Sequence, residues 1–196
     1  MDACSSGDTV PGSHMDACSS DDPVRASTPT AAMLTAYERE GFVVVDALLD
    51  AETCATLNAQ LEAVLRGRCN GRFGGADKAP KRWIEPRCKP GKAPPPLGGA
   101  SRQTLQWVNI WKADADFARV VLSPALGKLV AELGGWEDGA RIANDQVWAK
   151  PPGGAPLTFH RDSAYLDMLP DDVITVWIAL DDLDPTLGPL QYVHGA

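Results

Sequence analysis

A mainly β domain with flanking helices is the fold class this sequence predicts, and three observations carry the prediction. Helical hydrophobic spacing is confined to the chain before Gly135. After it, Ile142 to Ala149 and Val173 to Leu180 are rich in β-branched and aromatic residues, Phe159 to Tyr165 is a short run between them, and Leu190 to Val193 begins another after the Pro185 and Gly188 turn. Closely spaced strands separated by turns favour an antiparallel sheet, a sandwich or a barrel over a parallel sheet with crossover helices.

The elements follow in order. The first fourteen residues precede Met15 and a second MDACSS, and the Gly12-Ser13-His14-Met15 run resembles a cloning scar, so the native start is expected at Met15. Residues 1–30 are rich in Ser, Thr, Asp and Pro, carry little apolar surface and are expected to be disordered. Residues 31–196 are read as one domain. Ala31 to Glu40 reads as a helix stopped at Gly41, and Phe42 to Val45 as a strand. Asp50 is placed to cap a helix from Ala51 to Leu65, with Cys54, Leu57, Leu61, Val64 and Leu65 near three- and four-residue spacing. Thr104 to Trp111 reads as a strand with Leu105, Trp107, Asn109 and Trp111 on one side. Ser123-Pro124 opens a helix in the favoured cap-then-proline order, with Leu126, Leu129, Val130 and Leu133 on one stripe until Gly134-Gly135.

Composition sets the outer limits. The 196 residues hold 18 basic and 26 acidic side chains, a net charge of −8, which argues against a general nucleic-acid or anionic-membrane binder. The charge is uneven: from Arg66 to Lys92 nine basic residues stand against Asp77 and Glu85. This run lies in a Gly- and Pro-rich loop over 66–99, read as a solvated loop first, then as an anion-attracting rim over an active site, and last as a nucleic-acid contact. Cys18, Cys54, Cys69 and Cys88 show no metal-knuckle spacing, and no stretch approaches ~18 uncharged apolar residues. With no secretory signal the cytoplasm is the default location, organelle import staying open through the small-residue stretch from Ala26 to Ala32.

The sharpest local signal is Phe159-His160-Arg161-Asp162. On an extended segment the period of two points His160 and Asp162 to one face. Two histidines and a carboxylate on one face of Fe(II) leave positions for a chelating co-substrate and O₂, so His-x-Asp supplies half of such a set. Taken alone the tripeptide is more often a surface pair or a satisfied turn.

The surrounding motifs give it context. QVWAKPPGGAPLTFHRDSAYLDMLPDDVITVWIALDDLDPTLGPLQYVHG, from Gln146 to Gly195, resembles the phytanoyl-CoA dioxygenase family of Fe(II)- and 2-oxoglutarate-dependent oxygenases. YEREGFVVVDALLD from Tyr37 and VNIWKADADFARVVLSPALGKLV from Val108 resemble it too, in the same order. The resemblance implies a double-stranded β-helix, a cupin-like jelly roll with helices packed outside. It implies His160 and Asp162 as metal ligands, Trp177 lining the co-substrate pocket, Gln146 and Trp148 facing the barrel interior, and Asn109 presenting a polar group to 2-oxoglutarate. Lys150 is read as a rim lysine, and Tyr165 as packing under Asp162 or lining the substrate cavity. The implied reaction takes O₂ and 2-oxoglutarate to succinate and CO₂ while hydroxylating a small-molecule substrate. Halogenating relatives carry a small residue where Asp162 stands, so its carboxylate favours hydroxylation. The basic run suits a carboxylate, a phosphate or an acyl-coenzyme A thioester.

The sequence departs from the family pattern in one respect. The family calls for a second, distant histidine and then an arginine for 2-oxoglutarate, whereas the chain has His14, His160 and His194 and no arginine after Arg161. His194 falls where the family has a turn and is not expected to bind metal; the jelly roll is therefore expected to be incomplete at the C-terminus. Beside the oxygenase reading stand a cupin-type jelly roll with a different oxidation and a non-catalytic or truncated jelly roll binding a partner or small ligand. Oligomeric state is not legible.

Overall fold

A computed structural model describes residues 21–26, 28–65, 68, 70, 104–154, 156–162 and 172–195. Within them the chain forms helices α1 (Ala31–Glu40) and α2 (Ala51–Leu65), strand β1 (Leu105–Val108), helices α3 (Ala115–Val121) and α4 (Pro124–Gly134), and strand β2 (Gln146–Ala149). Short 3₁₀ turns occupy Ile110–Lys112 and Pro185–Leu187.

The helices begin and end where local chemistry satisfies their free backbone groups. Thr30 Oγ1 accepts the Met33 N–H at 3.2 Å, and Gly41, at φ 80°, closes α1 by donating its N–H to the Tyr37 carbonyl. Asp50 Oδ1 accepts the Thr53 N–H at 2.7 Å at the head of α2, the capping its position predicts. The predicted α4 is also observed: the Ser123 hydroxyl accepts the Leu126 N–H, Pro124 takes the first turn and Gly135 caps the end at φ 66°. Gly134 is required there, since a Cβ would lie 2.6 Å from the Trp136 indole. Helix α3 has no counterpart in the sequence reading. Asp114 starts it, its Oδ1 accepting the N–H groups of Asp116 and Phe117.

The sheet is one antiparallel pair with Leu105 opposite Ala149 and Val108 opposite Gln146. Trp107, Val147 and Ala149 pack toward the core; Gln106, Val108, Gln146 and Trp148 share the other face by alternation. The core joins Leu57, Leu61 and Val64 of α2, Trp107 and Ile110, and Phe117 and Val120 of α3. Val24 is in the same cluster, 1% exposed, so packing reaches back across the boundary expected at residue 31. Asp22 fixes that segment by accepting the Ser123 hydroxyl and the Ala125 N–H.

These observations correct the fold class. Instead of a double-stranded β-helix, the described residues form a mainly helical assembly with an open two-stranded sheet. The strands expected at Phe42–Val45, Val173–Leu180 and Leu190–Val193 are not formed, nor is one over residues 159–162, and the two long runs shorten to Leu105–Val108 and Gln146–Ala149. Alternation reports a half-buried surface, whereas a strand also needs a neighbour for its ladder. Along 173–180, Ile178 and Leu180 pack on the core and the Leu180 carbonyl accepts from Asn58 Nδ2 of α2 at 3.0 Å, so a side chain of a helix takes a bond a strand would offer its neighbour. Near Phe42 the contact is between side chains instead: its ring stacks on Tyr192 with centroids 4.9 Å apart. The run ends at Val108 because Asn109 takes the left-handed region, φ 60°.

Candidate metal and co-substrate site

His160 and Asp162 come together. His160 Nε2 lies 3.5 Å from Asp162 Oδ1, and both side chains are nearly half exposed. Each is held from behind. His160 Nδ1 is 2.7 Å from the Thr158 carbonyl oxygen; since a carbonyl can only accept, Nδ1 carries the proton and Nε2 presents a lone pair in the neutral ring. The Thr175 hydroxyl donates to Asp162 Oδ2 at 2.8 Å. One carboxylate oxygen is thus occupied and the other turned toward the imidazole.

Tyr192 belongs to the same neighbourhood. Burial raises its phenol above the ordinary value, and the Asp162 charge raises it further. Its ring rests on Phe42, which also approaches His194 at 5.4 Å. His194 itself is engaged elsewhere, its Nδ1 2.8 Å from Glu40 Oε2 at the end of α1. Hydrogen bonds from Arg39 and then His194 hold the Glu40 carboxyl below the usual range.

The remaining predicted site residues occupy two places. Trp177 is exposed on the segment that carries Thr175, two positions on. Gln146 and Trp148 lie on the sheet face away from the core, where Gln146 Oε1 accepts from Gln106 Nε2 at 2.7 Å. Among the described residues there is no barrel interior for them to face. Asn109 follows β1 and donates its backbone N–H to the Asp145 carbonyl. Lys150, read as a rim residue, is exposed and donates to the Gly188 carbonyl at 2.7 Å, tying the Lys-Pro-Pro and Gly-Pro-Leu motifs together. Tyr165 lies outside the described residues, as does the basic loop apart from Arg68 and Asn70. Asn70 anchors the start of that loop by accepting the Ala115 N–H at 2.8 Å.

Thr158, Thr175 and Tyr192 are the residues the sequence reading missed. Thr175 shares its parity with Trp177, a usable signal; Thr158 acts through its carbonyl and leaves no trace in side-chain identity.

Residues 37–196 match the phytanoyl-CoA dioxygenase (PhyH) family, and the chain belongs to that family of Fe(II)- and 2-oxoglutarate-dependent dioxygenases. Over 56 residues it is 34% identical to a protein of Stutzerimonas stutzeri described as a probable alpha-ketoglutarate-dependent hypophosphite dioxygenase. That match covers 29% of this chain and 20% of the relative's length. No solved structure matches.

The donor set suits half of the family's metal centre. An imidazole whose second nitrogen is tied to a carbonyl, beside a carboxylate already anchored through one oxygen, is how protein metal ligands are usually oriented. Among the described residues no group of three His, Cys, Asp or Glu side chains is placed to hold a metal ion. No helix among them is long and apolar enough to cross a membrane.

Proposed function

We propose that this chain serves a non-haem Fe(II)- and 2-oxoglutarate-dependent dioxygenase that hydroxylates a small anionic molecule, releasing succinate and CO₂. The observation that carries the reading is the His160–Asp162 pair, Nε2 to Oδ1 at 3.5 Å, with His160 donating to the Thr158 carbonyl and Asp162 accepting from the Thr175 hydroxyl. In this reading His160 Nε2 and Asp162 Oδ1 hold Fe(II), which supplies the oxidative chemistry when bound. The protein's part is to present one neutral nitrogen and one oxygen from a short segment, leaving the opposite side of the ion for co-substrate and O₂. Trp177, close in sequence to the Asp162 anchor, lines the 2-oxoglutarate pocket, and Gln146, Trp148 and Asn109 contribute polar and aromatic contacts to it.

Two features support an anionic substrate. The relative's name specifies a small phosphorus oxyanion. The run from Arg66 to Lys92 concentrates basic residues in an otherwise acidic chain, enough to raise the local concentration of an anion.

The test is succinate formation from 2-oxoglutarate under Fe(II) and O₂, comparing the chain with Asp162→Ala and His160→Ala. Fe(II)-dependent turnover lost in both variants is expected. Turnover that survives in Asp162→Ala overturns the reading, and a chain that stays folded but binds no divalent ion favours a non-catalytic member of the family that binds a partner or small ligand.

A further inference from the structure

We propose that Thr175 is a positioning residue that fixes Asp162 as a one-oxygen metal ligand; this rests on His160 and Asp162 being ligands, as proposed above. Three observations converge on it. The Thr175 hydroxyl donates to Oδ2 at 2.8 Å from thirteen residues along the chain, so the contact joins two separate segments. The other oxygen, Oδ1, is the one nearest His160 Nε2. Thr175 lies on the segment whose Ile178 and Leu180 are packed against the core and whose Leu180 carbonyl is held by Asn58 of α2, so the hydroxyl is mounted on a fixed support.

The consequence follows from carboxylate geometry. An unrestrained aspartate on an exposed segment can turn about its two side-chain torsions and offer one oxygen or both to a cation. A hydroxyl on Oδ2 removes that freedom: it occupies a lone pair and holds the carboxylate plane, so Oδ1 alone faces the position the imidazole also faces. Asp162 is then oriented before any ion arrives, and less conformational entropy is lost on binding. It also keeps the carboxylate from spreading over a second coordination position, which a chelating co-substrate needs. The imidazole is treated in the same way by the Thr158 carbonyl, so both halves of the pair are oriented by partners that do not touch the ion.

Thr175→Val is the informative change, because valine keeps the branched shape beside Ile174 and Val176 and removes only the hydroxyl. Binding of Mn(II), a redox-inert substitute for Fe(II), is followed by the loss of the free-ion electron paramagnetic resonance signal, independently of turnover. Thr175→Val is expected to weaken Mn(II) binding roughly 10- to 100-fold, the usual effect of removing a residue that orients a ligand. Thr175→Ser, which restores the hydroxyl, is expected to stay within about threefold of the unmodified chain on the same scale. Thr186→Val removes a comparable exposed hydroxyl–aspartate bond, to Asp184, and is expected to leave Mn(II) affinity unchanged. Wild-type affinity in Thr175→Val overturns the inference and spares the ligand assignment. Serine as weak as valine overturns it as well, since the hydroxyl is then not the cause. If the unmodified chain and Asp162→Ala bind Mn(II) alike, the ligand assignment fails and the role of Thr175 falls with it.

Discussion

Asn109 donates its backbone N–H to the Asp145 carbonyl at 2.8 Å, one step beyond the last paired residues of the sheet, and then turns the chain out of the ladder at φ 60°. Asparagine tolerates this left-handed geometry better than most residues, and glycine adopts it freely. Asn109→Gly is therefore expected to leave stability within about 0.5 kcal/mol, whereas Asn109→Ala loses about 1 kcal/mol. Urea denaturation measures both. If the amide also contacts 2-oxoglutarate, Asn109→Gly raises the KM for it without that loss of stability; an unchanged KM leaves Asn109 a backbone role alone.

The other partner in that contact makes stability depend on pH. Asp145 Oδ2 accepts the Trp111 N–H at 3.2 Å, while Oδ1 is buried and takes no hydrogen bond among the described residues. Burial pushes the carboxyl from its ordinary 3.8 up to about 6. Between those values the folded protein keeps a proton the unfolded chain has released, so this contribution is fully present below about pH 4 and is lost as pH rises through about 6. At about 1.4 kcal/mol per unit the loss is at most about 3 kcal/mol. Asp145→Asn keeps an acceptor for Trp111 and removes the charge. Its denaturation midpoint is expected to exceed that of the unmodified chain at pH 7.5, with the gap closing at pH 4; parallel pH profiles refute the assignment.

Much of the helical part was legible in the sequence, and the reason is locality. Asp50, Ser123-Pro124 and Gly135 mark helix ends through bonds to residues three or four positions away, and those bonds form in whatever fold surrounds them. His160-x-Asp162 was legible for the same reason, its pairing spanning two residues. The β elements were not. Val173 to Leu180 has the composition of a strand and also a side buried on the core, but its last carbonyl goes to Asn58, 122 residues away, a partner no local pattern reveals. The Thr175 hydroxyl that binds Asp162 was missed likewise, since the parity Thr175 shares with Trp177 gives its side but not its partner until the two segments meet. Helix α3 was overlooked because its seven residues are too few to show a period.

Asp114 supplies the signal that length could not. It is fully buried, and its Oδ1 receives the N–H groups of Asp116 and Phe117, so it sets the start of α3 and the placement of Phe117 and Val120 in the core. Burial raises its carboxyl above the ordinary value despite those bonds. Asp114→Ala removes the cap and is expected to cost about 1–2 kcal/mol. Asp114→Asn keeps the acceptor without a buried charge and is expected to be neutral or mildly stabilising at pH 7.5. Chemical denaturation separates the two; equal losses in both would show that the charge, not the cap, is what α3 requires.

Two tryptophans on opposite faces of the β1–β2 pair separate the fold from the proposed site. Trp107 is fully buried between α2, α3 and the sheet, and its indole N–H is buried without an acceptor among the described residues. Trp107→Ala is expected to cost about 3–5 kcal/mol, enough to unfold a domain of ordinary stability. Trp107→Phe keeps most of the apolar volume and discards the unsatisfied donor, so about 1 kcal/mol or less is lost. Trp148 is 39% exposed on the other face, beside Gln146. Trp148→Ala is expected to cost clearly less than Trp107→Ala, because part of the Trp148 surface stays in water whereas Trp107 is fully buried. If this face receives 2-oxoglutarate, the same substitution raises the KM for it severalfold while the urea midpoint falls less than in Trp107→Ala. A loss of stability in Trp148→Ala as large as that in Trp107→Ala would place that ring in the core instead, and an unchanged KM would remove the outer face of the sheet from the co-substrate site.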